Sequence, residues 1–163
     1  MKNFPFEHEG ETLWFSRAVA VTGLVYKHNA DKTKTWVLAN KRGQGTPDFQ
    51  GYWNLPCGYL DFDENGQEAV AREVLEETGY KTRADGWHFV RVSTDPKENR
   101  QNVSILYRYH WNEQDDETVY RAEGGEQDEV EDVKWVDIDE ADKYQWAFCH
   151  DRILRAFGEK IGR

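Results

Sequence analysis

The sequence predicts an α/β fold in which a mixed β-sheet lies between helices. Runs of β-branched and aromatic residues precede and follow one well-delimited helix, and a second amphipathic helix closes the chain. The length of 163 residues suits a single domain, so residues 1–163 are assigned to one domain. Aliphatic residues are sparse, but Phe, Trp and Tyr make up 14% of the chain and supply the apolar area that a core needs.

Five segments are predicted as strands, because they are rich in β-branched and aromatic residues or alternate between apolar and polar residues. They cover residues 17–26, 34–42, 86–94, 101–111 and 130–137. The segment 43–48 contains two glycines and a proline, so it is predicted as a loop after the second strand.

Two segments are predicted as helices. The first covers residues 66–78, with Asn65 as N-cap, Glu68 completing a capping box and Gly79 ending the helix in the left-handed conformation. The second covers residues 146–160. Its residues at helical spacing are expected to form an inward-facing stripe, namely Trp146, Cys149, Ile153 and Phe157.

The charge balance disfavours several function classes. The formal net charge is −10, whereas nucleic-acid binding draws its affinity from Lys and Arg, so nucleic acid is not expected as a partner. The two cysteines, Cys57 and Cys149, suit a reducing compartment. The longest apolar stretch, residues 18–25, is far shorter than a membrane helix. We therefore expect a soluble cytoplasmic protein that does not contact membranes.

Acidic residues are concentrated in segment 113–132, which has ten Asp or Glu residues and one Arg. One interpretation is a solvated acidic loop. The alternative is that one or two of these carboxylates reach a metal ion.

Three further carboxylates lie on the first predicted helix. At about 100° per residue, Glu73, Glu76 and Glu77 share one arc, opposite the apolar residues Val70 and Val74. Like charges at this spacing destabilise a helix slightly, so local stability does not explain the cluster. A bound cation would explain why the three carboxylates are clustered. Oxygen ligands favour a hard ion such as Mg²⁺, which commonly bridges carboxylates and substrate phosphates.

The segment 58–80 resembles the signature of the Nudix hydrolase family, G-x5-E-x7-R-E-U-x-E-E-x-G-U, where U is an apolar residue. The matching residues are Gly58, Glu64, Arg72, Glu73, Val74, Glu76, Glu77, Gly79 and Tyr80. Weaker resemblance extends to residues 36–43, 53–58 and 129–135. Two positions depart from the common pattern: Cys57 stands where many members have Gly, and Tyr80 is bulkier than the usual aliphatic residue.

The resemblance implies a Nudix-type α/β/α sandwich and Mg²⁺-dependent hydrolysis of a nucleoside diphosphate linked to another group, with Mn²⁺ as a substitute. By position, the Gly58 carbonyl, Glu76 and Glu77 would hold metal, and Glu73 would be a ligand or the general base. Arg72 would keep the carboxylates in register, and Glu64 would be structural or an outer, water-mediated ligand. Glu126 and Glu129 of the acidic segment are the other candidates for the base. Arg42 would contact the substrate.

Several alternatives remain open at this point. Pro96, sixteen residues after Tyr80, resembles the spacing of the ADP-ribose pyrophosphatase branch and favours ADP-ribose or a nucleotide sugar. Triphosphates and dinucleotides are the competing substrates. A second hypothesis is that the protein senses nucleotides without catalysing a reaction. A calcium-binding loop at residues 61–72 is disfavoured, because Arg72 occupies the position that requires a bidentate Glu. The oligomeric state is open, with a homodimer as one alternative.

Overall fold

The computed structural model describes residues 2–112, 115 and 128–162. Its strands in chain order are β1 (Phe4–His8), β2 (Glu11–Phe15), β3 (Ala18–His28), β4 (Thr35–Arg42), β5 (Trp53–Asn54), β6 (Cys57–Tyr59), β7 (His88–Ser93), β8 (Asn102–His110) and β9 (Val130–Asp137). The α-helices are α1 (Gly66–Thr78) and α2 (His150–Lys160). Two 3₁₀ segments, Ala84–Gly86 and Ile138–Lys143, complete the described elements.

Strands β3 to β9 form one mixed sheet with the central order β5-β4-β3-β8-β7. Strands β3 and β8 are parallel, and the other pairs are antiparallel. Strands β3 and β4 pair only where Tyr26–His28 faces Thr35–Val37. Beyond that point β6 pairs with β3, and β5 pairs with β4. The chain between β5 and β6 therefore crosses from one strand to the other, beside the start of the Nudix-like segment.

The two helices cover opposite faces of this sheet. Successive residues of a strand point to opposite faces, and β3 accordingly places Val21 and Val25 in the core on the α1 side and Leu24 in the core on the α2 side. Val70 and Val74 of α1 and Leu154 of α2 complete the two cores. The predicted α/β fold, with a mixed sheet between helices, is confirmed.

The helix α1 begins and ends where the sequence predicts. The Asn65 side chain accepts hydrogen bonds from the backbone N–H groups of Gln67 and Glu68, and the Glu68 carboxylate accepts one from the backbone N–H of Asn65. At the other end Gly79 adopts a left-handed conformation with φ 74°. A side chain would be strained there, so this glycine is required by the helix end.

The second helix begins later than predicted. It starts at His150 rather than at residue 146, because Phe148 and Cys149 have positive φ angles of 55° and 58° and cannot belong to a right-handed helix. Cys149 is exposed, so its place in the inward-facing stripe was wrong. Leu154 and Phe157 are the buried apolar residues of α2.

The N-terminal hairpin formed by β1 and β2 was not predicted. It is a separate two-stranded sheet, and Phe4, Phe6, Trp14 and Phe15 on it are all exposed. None of the described helices has the length and apolarity needed to cross a membrane.

Candidate active site

The site forms where β6, the following loop and α1 meet. Gly58 lies on β6, and a Cβ atom built there would collide with the carboxylate of Glu73 on α1. A side chain at this position would have to displace the Glu73 carboxylate. The Nudix-like glycine and the first acid of the helical cluster are therefore neighbours in space.

Arg72 organises the carboxylates around it. Its Nε donates to Glu64 Oε2 at 3.0 Å, and its Nη2 donates to Glu64 Oε1 at 2.6 Å. Its Nη1 donates to Glu73 Oε1 at 2.7 Å and to Glu76 Oε2 at 3.0 Å. Its Nη2 also reaches the Tyr59 carbonyl oxygen at 3.0 Å. The planar guanidinium thus joins the β6 loop to three glutamates of the segment.

Arg72 and burial shift the acidity of its partners in opposite directions. The hydrogen bonds from Arg72 lower the pKa of Glu64 below its usual value. Burial raises the pKa of Glu73, whose side chain is only 12% exposed, and the charges of Glu76 and Glu64 add to the rise while Arg72 opposes it. Glu73 is consequently a stronger proton acceptor than an exposed carboxylate.

Glu77 is partly buried on the same helix. Its Oε2 accepts a hydrogen bond from the Cys57 backbone N–H at 2.9 Å. Burial raises its pKa well above the usual value, and the negative charges of Glu73 and Glu129 add to this, while the Cys57 N–H and the charge of Arg42 oppose it. Among the residues that the structure describes, four glutamates, Glu64, Glu73, Glu76 and Glu77, face only two nearby arginines, Arg72 and Arg42, so negative charge is in excess at this site.

The donor chemistry fits a hard cation, since Glu73, Glu76, Glu77 and the Gly58 carbonyl offer only oxygen. In this structure, however, these oxygen atoms are not arranged as a metal-binding centre. Across the described ranges 2–112, 115 and 128–162, no three acidic, imidazole or thiol side chains are gathered closely enough to hold a metal ion. The carboxylates of Glu73 and Glu76 both accept hydrogen bonds from the Arg72 guanidinium. Metal binding would require these side chains to rotate.

The acidic segment reaches the site through backbone contacts. The Gly43 N–H donates to the Glu129 carbonyl oxygen at 2.7 Å, and the Gly45 N–H donates to the Asp128 carbonyl oxygen at 2.8 Å. A Cβ atom at Gly43 would collide with the Asp128 backbone, so this glycine permits the approach. Glu129 is close enough to influence the pKa of Glu77. Glu126 lies outside the described residues.

Arg42 is buried and already engaged. Its Nε donates to the Asp48 carbonyl oxygen at 3.0 Å, its Nη2 donates to Asp48 Oδ1 at 2.8 Å, and its guanidinium lies 4.8 Å from the centre of the Phe148 ring. Its charge still acts on Glu77. Contact between Arg42 and a substrate stays a prediction.

His150 was not among the predicted site residues. Its buried Nδ1 accepts a hydrogen bond from the Leu55 backbone N–H at 3.0 Å, and the Asn54 side chain donates to the Leu55 carbonyl oxygen at 2.9 Å. These contacts hold the turn that presents the Cys57 N–H to Glu77. Burial, together with the positive charge of Arg42, lowers the pKa of His150 to about 3. No short-range signal could reveal a contact between residues 95 positions apart.

Comparison of the chain with known proteins identifies its family. The NUDIX domain family matches residues 16–157. An ADP-ribose pyrophosphatase from Methanocaldococcus jannaschii is 28% identical over 148 residues, which cover 89% of this chain and 75% of that protein.

Two solved structures share the fold. The NUDIX domain of Shewanella oneidensis NrtR, complexed with ADP ribose, has a TM-score of 0.70 at 20% identity and covers 90% of both chains. A bifunctional NMN adenylyltransferase/ADP ribose pyrophosphatase from Francisella tularensis, complexed with AMP and a Mn ion, has a TM-score of 0.67 at 21% identity. That match covers 90% of this chain and 42% of the other. The family match over most of the chain and the clustering of Gly58, Arg72 and the helix carboxylates lead to one conclusion: the chain belongs to the NUDIX family.

Proposed function

We propose that the protein is a Mg²⁺-dependent hydrolase that cleaves the phosphoanhydride of a nucleoside diphosphate linked to another group. The observation that carries this is the surplus of carboxylates on one face of α1, held by Arg72 beside Gly58. Such a site suits hydrolysis of a negatively charged diphosphate, because a cation held by the carboxylates would neutralise the charge that opposes attack by water.

The Gly58 carbonyl, Glu73, Glu76 and Glu77 would hold Mg²⁺, with Mn²⁺ as a substitute. The ion, when bound, would neutralise diphosphate charge and lower the pKa of a water for attack at phosphorus. Arg72 would keep the carboxylates in register through its bonds to Glu64 and the Tyr59 carbonyl oxygen while Glu73 and Glu76 rotate toward the ion. The Cys57 N–H would orient Glu77. A Mn ion in the Francisella neighbour supports a divalent cation in this fold.

The general base would be Glu73, Glu126 or Glu129. A base must accept a proton near neutral pH, and the raised pKa of Glu73 brings it closer to that range. Glu129 is held near the site by the Gly43 N–H. Single Gln variants of the three, compared for kcat against pH, would identify the base as the residue whose loss removes the acidic limb of the profile.

We propose ADP-ribose or a nucleotide sugar as the substrate. The archaeal relative is named an ADP-ribose pyrophosphatase, and the NrtR neighbour was solved with ADP ribose. A sugar diphosphate also brings less negative charge than a triphosphate to a chain of net charge −10. A triphosphate or dinucleotide substrate, or nucleotide sensing without turnover, is the alternative.

We propose that the protein acts in the cytoplasm, without nucleic acid or membrane, and as a homodimer. The exposed aromatic side chains of the β1–β2 hairpin support self-association, because an isolated two-stranded sheet is only marginally stable. Light scattering coupled to size exclusion should give twice the monomer mass for the parent. A Phe6→Ser, Trp14→Ser variant should elute as a monomer.

A substrate panel tests the activity directly. ADP-ribose, a nucleotide hexose, a dinucleotide and several triphosphates would be compared in the same Mg²⁺ buffer, using parent, Glu77→Gln and the exposed α2 control Glu159→Gln. We expect hydrolysis of at least one diphosphate by the parent and the control. Binding of ADP-ribose without turnover of any compound would instead support the sensing alternative.

A further inference from the structure

A cavity of about 160 Å³ opens on the α2 side of the sheet. Its walls are apolar and include Leu24 of β3, Leu106 of β8 and Phe157 of α2, all members of the core on that side. The proposed active site lies on α1, against the opposite face. The cavity is therefore not part of the carboxylate site.

A β-bulge shapes one wall. The register between β7 and β8 shifts between Phe89 and Arg91, which inserts Val90 as an extra residue. In a regular strand Val90 and Arg91 would point to opposite faces, yet both line this cavity. Bulges redirect side chains in this way and are frequent beside functional sites. The bulge adds both an apolar contact and a cation to the same wall.

The rim of the cavity is basic. Four exposed cations line it, and Glu98 is the single acid among its described lining residues; the cations are Arg91, Arg108, Arg152 and Lys160. The Glu98 carboxylate accepts a hydrogen bond from the Ser93 hydroxyl. None of the four cations forms an ion pair with a carboxylate of a residue that the structure describes. In a chain of net charge −10 this is a local reversal of sign.

We propose that this cavity binds a small amphipathic anion, with an apolar ring or short alkyl group inside and a phosphate or carboxylate group on the rim. The volume is below the roughly 300–1,000 Å³ of drug-sized sites, so one ring fills it and the charged group stays outside. Arginine side chains bind oxyanions through two parallel hydrogen bonds, and three arginines are available at this rim.

Phenyl phosphate is a suitable probe, measured by titration calorimetry or ligand-observed NMR. The experiment uses the full chain in EDTA, so that no metal can recruit phosphate to the α1 carboxylates. We expect saturable binding with a Kd of about 1 mM or tighter. An Arg108→Gln, Arg152→Gln variant should bind at least tenfold more weakly. Arg155→Gln, an exposed α2 residue outside the cavity, is the matched control and should bind as the parent does.

Two further measurements test the apolar part and the separation of the sites. Ala156 lines the cavity, so Ala156→Leu should fill it and abolish phenyl phosphate binding. Inorganic phosphate should bind the parent at least tenfold more weakly than phenyl phosphate. Equal affinity for the two anions, equal binding by the double variant, or no saturation up to about 10 mM would each overturn the proposal. So would a tenfold change in KM for the hydrolysed diphosphate in the double variant, because the cavity would then belong to the substrate site.

Discussion

His150 offers a quantitative test of how the turn before Gly58 is held. Its pKa of about 3 in the folded protein lies below the ordinary value of 6.5, because the ring is buried and faces the charge of Arg42. Below pH 6.5 His150 therefore becomes protonated in the unfolded chain, whereas it stays neutral in the folded chain until the pH approaches 3. Neutral His150 therefore makes its full contribution to the free energy of unfolding above pH 6.5, and this contribution falls progressively as the pH drops toward 3.

The magnitude follows from the two pKa values. Linkage gives a loss of about 2 kcal/mol in the free energy of unfolding between pH 6 and pH 4.5, from this residue alone. The perturbation is His150→Asn, because the Asn oxygen can accept the Leu55 N–H in place of Nδ1. The variant loses ring packing at every pH, but it has no proton to gain.

Urea unfolding followed by tryptophan fluorescence, at pH 6 and pH 4.5 in EDTA, measures the effect in parent and variant. Carboxylates titrate in both proteins, so their contribution cancels in the comparison. The parent should lose about 2 kcal/mol more than the variant between the two pH values. Equal losses would show that His150 is protonated in the folded state and that the Leu55 contact is not maintained.

Four further outcomes are expected. Glu77→Gln should lower kcat at least about a hundredfold with unchanged circular dichroism, and in EDTA it should melt at or above the parent temperature, because ionised Glu77 is disfavoured by burial; near-parental kcat would refute the ligand role. Mg²⁺ or Mn²⁺ should raise the melting temperature of the parent in a saturable way and much less in a Glu73, Glu76, Glu77 triple Gln variant; equal shifts would place the metal elsewhere. Gly58→Ala should lower kcat at least tenfold, since its methyl group would displace the Glu73 carboxylate, and should cost only about 1 kcal/mol in urea unfolding because that carboxylate can rotate aside; parental kcat would contradict the close approach. The kcat/KM for ADP-ribose should exceed that of any triphosphate in the same Mg²⁺ buffer, and a tenfold advantage for a triphosphate would reject the sugar preference.

Local signals in the sequence were sufficient for α1. The capping box at Asn65, the left-handed Gly79 and the apolar residues Val70 and Val74 act within a few residues of one another, and each appears in the structure as predicted. The five predicted strands are likewise present as β3, β4, β7, β8 and β9, whereas the short strands β5 and β6 of the same sheet were not predicted. These features depend on backbone conformations and on periodicity, which neighbouring residues determine.

Long-range geometry was not accessible in the same way. The start of α2 depends on the left-handed conformations of Phe148 and Cys149, which are neither glycine nor asparagine and therefore gave no warning. The His150 contact with Leu55 joins distant segments. The engagement of Arg42 by Asp48 depends on how loop 43–48 folds back, whereas the family resemblance implied only a contact with the substrate.

The most direct test of the central claim is the fate of oxygen in the reaction. ADP-ribose would be incubated with the protein and Mg²⁺ in water enriched in ¹⁸O, and the products analysed by mass spectrometry. Water attack at phosphorus predicts AMP and ribose 5-phosphate, with one ¹⁸O in the phosphate of one of them, no reaction in EDTA and at least about a hundredfold less product with Glu77→Gln. Undiminished turnover in EDTA, or in the Glu77→Gln variant, would contradict a metal-dependent hydrolase built on the α1 carboxylates.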